Sequence, residues 1–169
     1  LVEVSPAPFT APDVTKRTYD LMQAVGQKPI MMKKETQGFI LNRLQWALLC
    51  EAYRLVDDGY IGVEDLDKTL KDGLGLRWSF MGPFEVGDLN APGGIADYSR
   101  RFGPMIYEMD RSEQSNARPW SDKLIAQIEK ERREHMQVSD IGARSKWRDR
   151  RLMGLMAHKR AMEKKDQSA

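Results

Sequence analysis

The chain has 169 residues, of which 41% are hydrophobic and 31% charged, a composition typical of a folded globular domain. Its net charge of +2 is too small for a polycation that coats nucleic acid, and it lacks the roughly 18 to 20 consecutive apolar residues of a membrane span. Its single cysteine, Cys50, excludes an internal disulfide and a cysteine-rich metal site. We therefore expect no nucleic-acid, membrane or metal partner.

The first residues predict a strand that begins abruptly. Residues 1–4 (LVEV) are strand-like, and the proline-rich segment 6–8 follows them. Position 1 is a leucine rather than a methionine. We therefore expect this chain to be a piece cut from a larger protein.

A helix is predicted next. Thr10 is a suitable N-cap, Pro12 suits the first helical turn, and Asp13 stands three residues after Thr10, as in a capping box. Gly26 is a natural end for this helix. A short strand or extended segment is expected at residues 29–33.

The segment from about residue 38 to residue 58 gives the clearest helix prediction, because it contains no proline and Gly59 follows it. Apolar side chains cover more than one stripe of this helix, which predicts a central, buried position. Cys50 lies within the apolar run and is expected to be buried too. Asn42 is an isolated polar residue in this segment, so its presence needs an explanation.

The remainder of the chain is predicted to be helical, apart from a glycine-rich loop at residues 73–83 (GLGLRWSFMGP). Ser121 and Ser139 are plausible N-caps. The predicted fold is therefore almost all α, with strand only near the start. The helices are expected at residues 63–71, 84–89, 94–109 with a bend near Pro104, 121–136 and 139–164.

Several motifs together resemble the C-terminal half of the 3-hydroxyacyl-CoA dehydrogenase family. They are residues 1–4, 38–44 (GFILNRL), 51–52 (EA), 64–67 (EDLD) and 82–85 (GPFE). Residues 73–80 (GLGLRWSF), 88–91 (DLNA) and 143–149 (ARSKWRD) are similar to its λ-crystallin branch, which includes L-gulonate 3-dehydrogenase. Each motif alone is weak, but their order and spacing make chance an unattractive explanation.

The resemblance implies a fold class and a domain organisation. The expected fold is an all-α domain like the C-terminal domain of 6-phosphogluconate dehydrogenase. Residues 1–8 would end a preceding Rossmann domain or its linker, and residues 9–169 would form the helical substrate and dimerisation domain. The missing Rossmann domain would bind NAD, the helical domain would form a homodimer, and the branch suggests a cytoplasmic enzyme. Gly73 and Gly75 lack the third glycine of a dinucleotide fingerprint and follow no predicted strand.

The family oxidises a secondary alcohol with a histidine as proton acceptor, because an imidazole titrates near neutral pH. A neighbouring carboxylate raises the pKa of that imidazole and fixes its tautomer. Glu3 matches the family's glutamate, while the matching histidine would precede Leu1 and is absent from this chain. Without the resemblance, Glu3 would be interpreted as a solvent-facing strand residue between Val2 and Val4.

Two further side chains are candidate site residues. Asn42 matches an active-site asparagine of the family, whose amide can donate to one oxygen and accept from another group. A structural cap on a neighbouring segment is the alternative for Asn42. Arg77 is hypothesised to bind the carboxylate of a free hydroxy acid, since a guanidinium binds a carboxylate through two parallel hydrogen bonds. A salt bridge within the loop or a subunit contact are the alternatives for Arg77.

The last helix is basic, and we expect it to pack on its own domain or on a partner subunit rather than on nucleic acid. His135 and His158 are expected at the surface.

Two functional hypotheses remain. The first is the C-terminal part of an NAD-dependent oxidoreductase that acts on a small-molecule substrate, a 3-hydroxyacyl-CoA or a free 3-hydroxy acid such as L-gulonate. The second is a non-catalytic helical dimerisation or interaction module. In either case we expect an exposed apolar surface and no oxidation by this chain alone.

Overall fold

A computed structural model describes residues 1–167, which divide into two compact units, residues 1–55 and the residues from Val56 onward. The first unit contains β1 (Val2–Val4), α1 (Pro12–Ala24), β2 (Pro29–Met31) and most of α2 (Phe39–Asp57). The second contains the remaining helices: α3 (Val63–Lys68), a π-helix (Thr69–Leu74), α4 (Gly75–Trp78), α5 (Pro83–Leu89), α6 (Gly94–Ser115), α7 (Asp122–His135), a 3-10 turn (Val138–Asp140) and α8 (Ile141–Asp166). The almost all-α prediction is therefore confirmed. Within residues 1–167, no helix is long and apolar enough to cross a membrane.

The two strands pair in parallel, with Glu3 opposite Ile30 in the register. Parallel neighbours require a crossover connection, which α1 supplies here. The Met32 N–H donates to the Val4 carbonyl at 2.9 Å, and both residues are buried. The expected strand at the start is confirmed, and the extended segment predicted at residues 29–33 provides its partner.

The predicted capping box of α1 is wrong. Ala11 is the N-cap residue, and the Thr10 hydroxyl oxygen instead accepts the Ala7 N–H at 3.1 Å. Thr10 therefore closes the proline-rich turn before the helix and is not free to cap it. Pro12 occupies the first helical turn, and Gly26 follows the helix with a φ of +79°, as expected for a left-handed C-terminal residue.

The bounds predicted for α2 are confirmed, but its predicted burial is wrong. Val56 is the buried residue of this helix, whereas Leu44 is 64% exposed and Cys50 is also exposed. Periodicity shows which face of a helix is apolar but not what covers that face. The apolar surface expected from the sequence is therefore present along α2.

The loop predicted at residues 73–83 is largely helical. The π-helix and α4 continue directly from α3, so residues 63–78 form one helical stretch. A Cβ on Gly75 would lie 2.8 Å from the Leu70 carbonyl oxygen, so this glycine permits close backbone contact and not a loop conformation. Arg77 consequently lies on a helical turn.

Side-chain acceptors define several helix starts in the second unit. The Ser121 hydroxyl accepts the Leu124 N–H at 3.1 Å, which confirms that predicted cap. The cap predicted at Ser139 is wrong, because Ser139 lies in the 3-10 turn and Asp140 directly precedes α8. Asp88 accepts the Ile95 N–H at 2.7 Å and so binds the first turn of α6.

Glu131 of α7 binds the start of α3. Its carboxylate accepts the Val63 N–H at 2.8 Å, and this backbone hydrogen bond, with a further one from Gln127, lowers the pKa of Glu131. The next residue, Arg132, lies 3.4 Å from both Glu64 and Asp67 of α3.

The expected surface positions of His135 and His158 are confirmed, since both are exposed.

Candidate functional site

Glu3 binds the beginning of α2. One of its carboxylate oxygens, Oε1, accepts the N–H groups of Ile40 at 2.8 Å and of Leu41 at 3.1 Å. The first N–H groups of a helix have no partner within the helix, and the positive end of the helix dipole favours an anion there. Glu3 is half-buried in the centre of β1. The alternative of a side chain that only faces solvent is therefore wrong.

The turn before α2 has an unusual backbone. Gly38 and Phe39 have φ values of +79° and +53°, and a left-handed conformation is uncommon for a phenylalanine. A Cβ on Gly38 would lie 2.5 Å from Cζ3 of the Trp46 ring, so the ring packs directly against the glycine. The strained conformation of Phe39 persists only where its surroundings hold it. Both residues precede the two N–H groups that bind Glu3.

Asn42 follows Leu41 in the first turn of α2, so the structure brings it and Glu3 to the same end of one helix. Asn42 is exposed, and within residues 1–167 its side chain forms no hydrogen bond. The alternative that Asn42 caps a neighbouring segment is therefore unsupported. Its amide is available to donate to one group and accept from another.

A cleft of about 280 Å³ lies beside Glu3, between β1 and α1. Its lining is largely apolar, with a few hydroxyl groups. In the described part of the chain, no three histidine, cysteine or acidic side chains are grouped as metal ligands. The cleft is lined by Val2, Glu3, Val4, Ser5, Pro6, Thr10, Val14, Thr15, Thr18 and Met22.

Arg77 belongs to the second compact unit, whereas Glu3 and Asn42 belong to the first. Its side chain is exposed and forms no ion pair with any residue that the structure describes, so the alternative of a salt bridge within the loop is unsupported. Its backbone carbonyl accepts the N–H groups of Phe80 and Met81. Arg77 therefore presents a free guanidinium from a hydrogen-bonded turn.

Gly73 and Gly75 do not form a dinucleotide-binding loop. Gly73 lies in the π-helix and Gly75 begins α4, so these glycines form no loop whose N–H groups could surround a pyrophosphate. The predicted rejection of Gly73 and Gly75 as a nucleotide fingerprint is consistent with this placement.

Sequence reasoning missed the N–H groups of Ile40 and Leu41 as partners of Glu3. A signal was available, because Gly38, the residue directly before this apolar helix, supplies no side-chain oxygen as a cap. The N–H groups of a helix start without its own cap are left for an acceptor from another segment, for water or for a ligand.

Comparisons with known proteins agree with this architecture. Residues 38–141 match the model of the C-terminal domain of 3-hydroxyacyl-CoA dehydrogenase. The lambda-crystallin homolog of Mus musculus is 41% identical over 98% of this chain and 52% of that protein. L-carnitine dehydrogenase of Burkholderia mallei is 38% identical over 63% of this chain and 33% of that protein.

A solved structure agrees as well. The NAD+-dependent 5-formyl-3-hydroxy-2-methylpyridine 4-carboxylic acid 5-dehydrogenase has a TM-score of 0.60 and 25% identity, covering 95% of this chain and 51% of that one. These findings define a helical C-terminal domain of the dehydrogenase type. The chain belongs to the 3-hydroxyacyl-CoA dehydrogenase family, and the predicted likeness to the λ-crystallin branch is confirmed. It spans about half the length of the lambda-crystallin relatives that it matches.

The contact between Gly38 and Trp46 generates a stability prediction. Gly38→Ala should lower the free energy of unfolding by about 1 to 3 kcal/mol more than Gly26→Ala does, as expected for overpacking. Gly26 is a matched control, because its φ is also +79° while no atom lies within 4 Å of its would-be Cβ. Urea unfolding of both variants measures the difference. Equal losses would show that Trp46 does not constrain the turn.

Proposed function

We propose that this chain is the C-terminal substrate and dimerisation part of an NAD-dependent oxidoreductase. The proposed reaction is oxidation of the 3-hydroxyl of a free 3-hydroxy acid such as L-gulonate, in the cytoplasm. The observation that carries this proposal is the binding of the Glu3 carboxylate to the N–H groups of Ile40 and Leu41 at the start of α2. Leu41 directly precedes Asn42. The chain alone is expected to be inactive.

Glu3 has the role of orienting a histidine from the preceding part of the protein. Both backbone N–H groups bind its Oε1. Its Oε2 is then left to accept an imidazole N–H. A carboxylate in that position stabilises the imidazolium that forms when the histidine takes the hydroxyl proton. The exposed amide of Asn42 is suited to bind an oxygen of the substrate from the same helix end.

NAD, which acts as the oxidant, is assigned to the preceding domain. The parallel pairing of β1 with β2 supports extending that domain beyond residue 8, because two-stranded parallel sheets are rarely stable alone. The family's C-terminal match begins at residue 38. We therefore propose a domain boundary near residue 37 and not between residues 8 and 9.

Arg77 is assigned to recognition of the substrate carboxylate. The guanidinium is exposed and has no ion-pair partner in the described chain. The names of two relatives support a free acid, since L-carnitine and a pyridine carboxylic acid both carry a carboxylate. An acyl-CoA substrate has a thioester at that place, with no charge for Arg77 to bind.

The catalytic proposal is tested by Glu3→Gln in the complete protein. Glutamine keeps an oxygen that can accept the Ile40 and Leu41 N–H groups, so the fold should survive while the negative charge is lost. We expect kcat for L-gulonate oxidation to fall by at least about 100-fold, the range of general acid–base catalysis. Glu35→Gln is the control, because Glu35 is exposed in the same unit. An unchanged kcat in Glu3→Gln would show that Glu3 has no catalytic role, and an unmodified complete protein that oxidises none of these substrates would favour the alternative, a non-catalytic interaction module.

The specificity proposal is tested by Arg77→Met in the complete protein. We expect the KM for L-gulonate to rise about 10- to 100-fold, which corresponds to the loss of a hydrogen-bonded charge pair. The kinetics are measured in parallel with 3-hydroxybutyryl-CoA, whose KM should not change. A preference of the unmodified enzyme for the thioester would contradict the assignment of a free acid.

A homodimer is the proposed assembly. The apolar face of α2 supports it, because Leu41 and Leu44, three residues apart on one side of the helix, are each more than half-exposed, and such surfaces mark interfaces. Leu44→Glu in the complete protein should shift sedimentation from the dimer to the monomer, whereas Leu44→Met should not. A monomeric unmodified protein at tens of micromolar, roughly the scale of such assays, would overturn the proposal.

A further inference from the structure

We propose that Lys159 is a positioning residue for Arg77, and that it thereby sets affinity for the acid group of the substrate. This inference rests on the proposed role of Arg77. The Lys159 ammonium donates to the Ser79 carbonyl at 2.5 Å, across 80 residues of sequence. Lys159 is half-buried, while residues 150–158 and Arg160 are exposed. A lysine held in this way on an exposed helix suggests a specific role.

The Ser79 carbonyl has a particular need for this donor. Ser79 is the C-cap of α4, where carbonyl groups lack partners within the helix. The residue four positions later is Pro83, which has no N–H to donate. A continued α-helix therefore could not satisfy this carbonyl, and the lysine of α8 provides the hydrogen bond instead.

The bond acts on the turn that carries Arg77. The Ser79 N–H and hydroxyl both donate to the Gly75 carbonyl, at 3.1 and 2.9 Å. Phe80 and Met81 donate to the Arg77 carbonyl. Ser79 is thus bonded to α4 on one side and to Lys159 on the other. Because the Arg77 side chain has no partner of its own in the described chain, its position depends on this backbone.

The test uses the complete enzyme and whichever of L-gulonate, 3-hydroxybutyrate and L-carnitine it oxidises best. We expect Lys159→Met to raise the KM for that acid roughly 3- to 10-fold, less than the full value of its charge-assisted hydrogen bond because Lys159 acts on the acid only through Arg77, and to leave kcat within about twofold. Lys159→Arg should restore most of the affinity. Arg160→Met, a change at the exposed neighbouring residue, should behave like the unmodified enzyme.

A double variant separates positioning from a general structural effect. Lys159→Met should add no further increase in KM when Arg77 is already methionine, since the two residues act through one contact. The neutral amide of the same acid should show no effect of either change. If the Met variant does not fold, Lys159→Gln, which keeps one donor, should give an intermediate KM.

Two results would overturn the inference. One is an unchanged KM in Lys159→Met, with or without a lower melting temperature. The other is an equal increase in KM in the presence and absence of Arg77. If Arg77→Met itself leaves KM unchanged, the proposed function of Arg77 fails first. If Arg77→Met raises KM and Lys159→Met does not, only the role of Lys159 fails.

Discussion

The candidate site depends on the binding of the Glu3 carboxylate to the first N–H groups of α2. This contact joins a strand to a helix 37 residues later in the sequence and satisfies two N–H groups that the helix cannot satisfy itself. The left-handed residues Gly38 and Phe39 lie directly before the two bonded amides. The same contact sets the position of Asn42, because Asn42 directly follows one of the bonded residues.

The second unit uses the same principle with other residues. Few of its side chains are buried, namely Val56, Val63, Ala91 and Leu124 in the described chain. Its helices are instead bonded at their ends by polar side chains. Glu131 binds the start of α3, Asp88 the start of α6, Ser121 the start of α7 and Lys159 the end of α4. Such bonds fix the direction of a helix while its apolar face stays available for another protein surface.

Helix positions could be predicted well from the sequence, and burial could not. The bounds of α2 follow from periodicity and from Gly59, which are local properties, whereas the burial of Cys50 depends on neighbours that a periodicity does not specify. The predictions of helix caps were partly correct. Ser121 caps α7 as predicted, whereas the Thr10 hydroxyl accepts the Ala7 N–H and does not cap α1. A glycine such as Gly75 is typical of loops, but a close backbone contact inside a helix also requires glycine, so its presence alone does not predict a loop. The role of Glu3 could be predicted only through the resemblance.

The proposed roles of Glu3 in proton transfer and of Arg77 in substrate recognition explain how one fold can act on different substrates. Removing a proton from a secondary alcohol is the same task for a thioester and for a free acid, so Glu3 and the start of α2 need not differ between them. To distinguish a free acid from a thioester, the protein needs only a positive charge that binds the carboxylate. Arg77, on its hydrogen-bonded turn, can supply that charge. The hydrogen bonds of Glu3 are made to Ile40 and Leu41 of its own compact unit, so changes in residues 73–80 of the other unit leave them intact. In this scheme a substitution near α4 changes KM, and a substitution near α2 changes kcat.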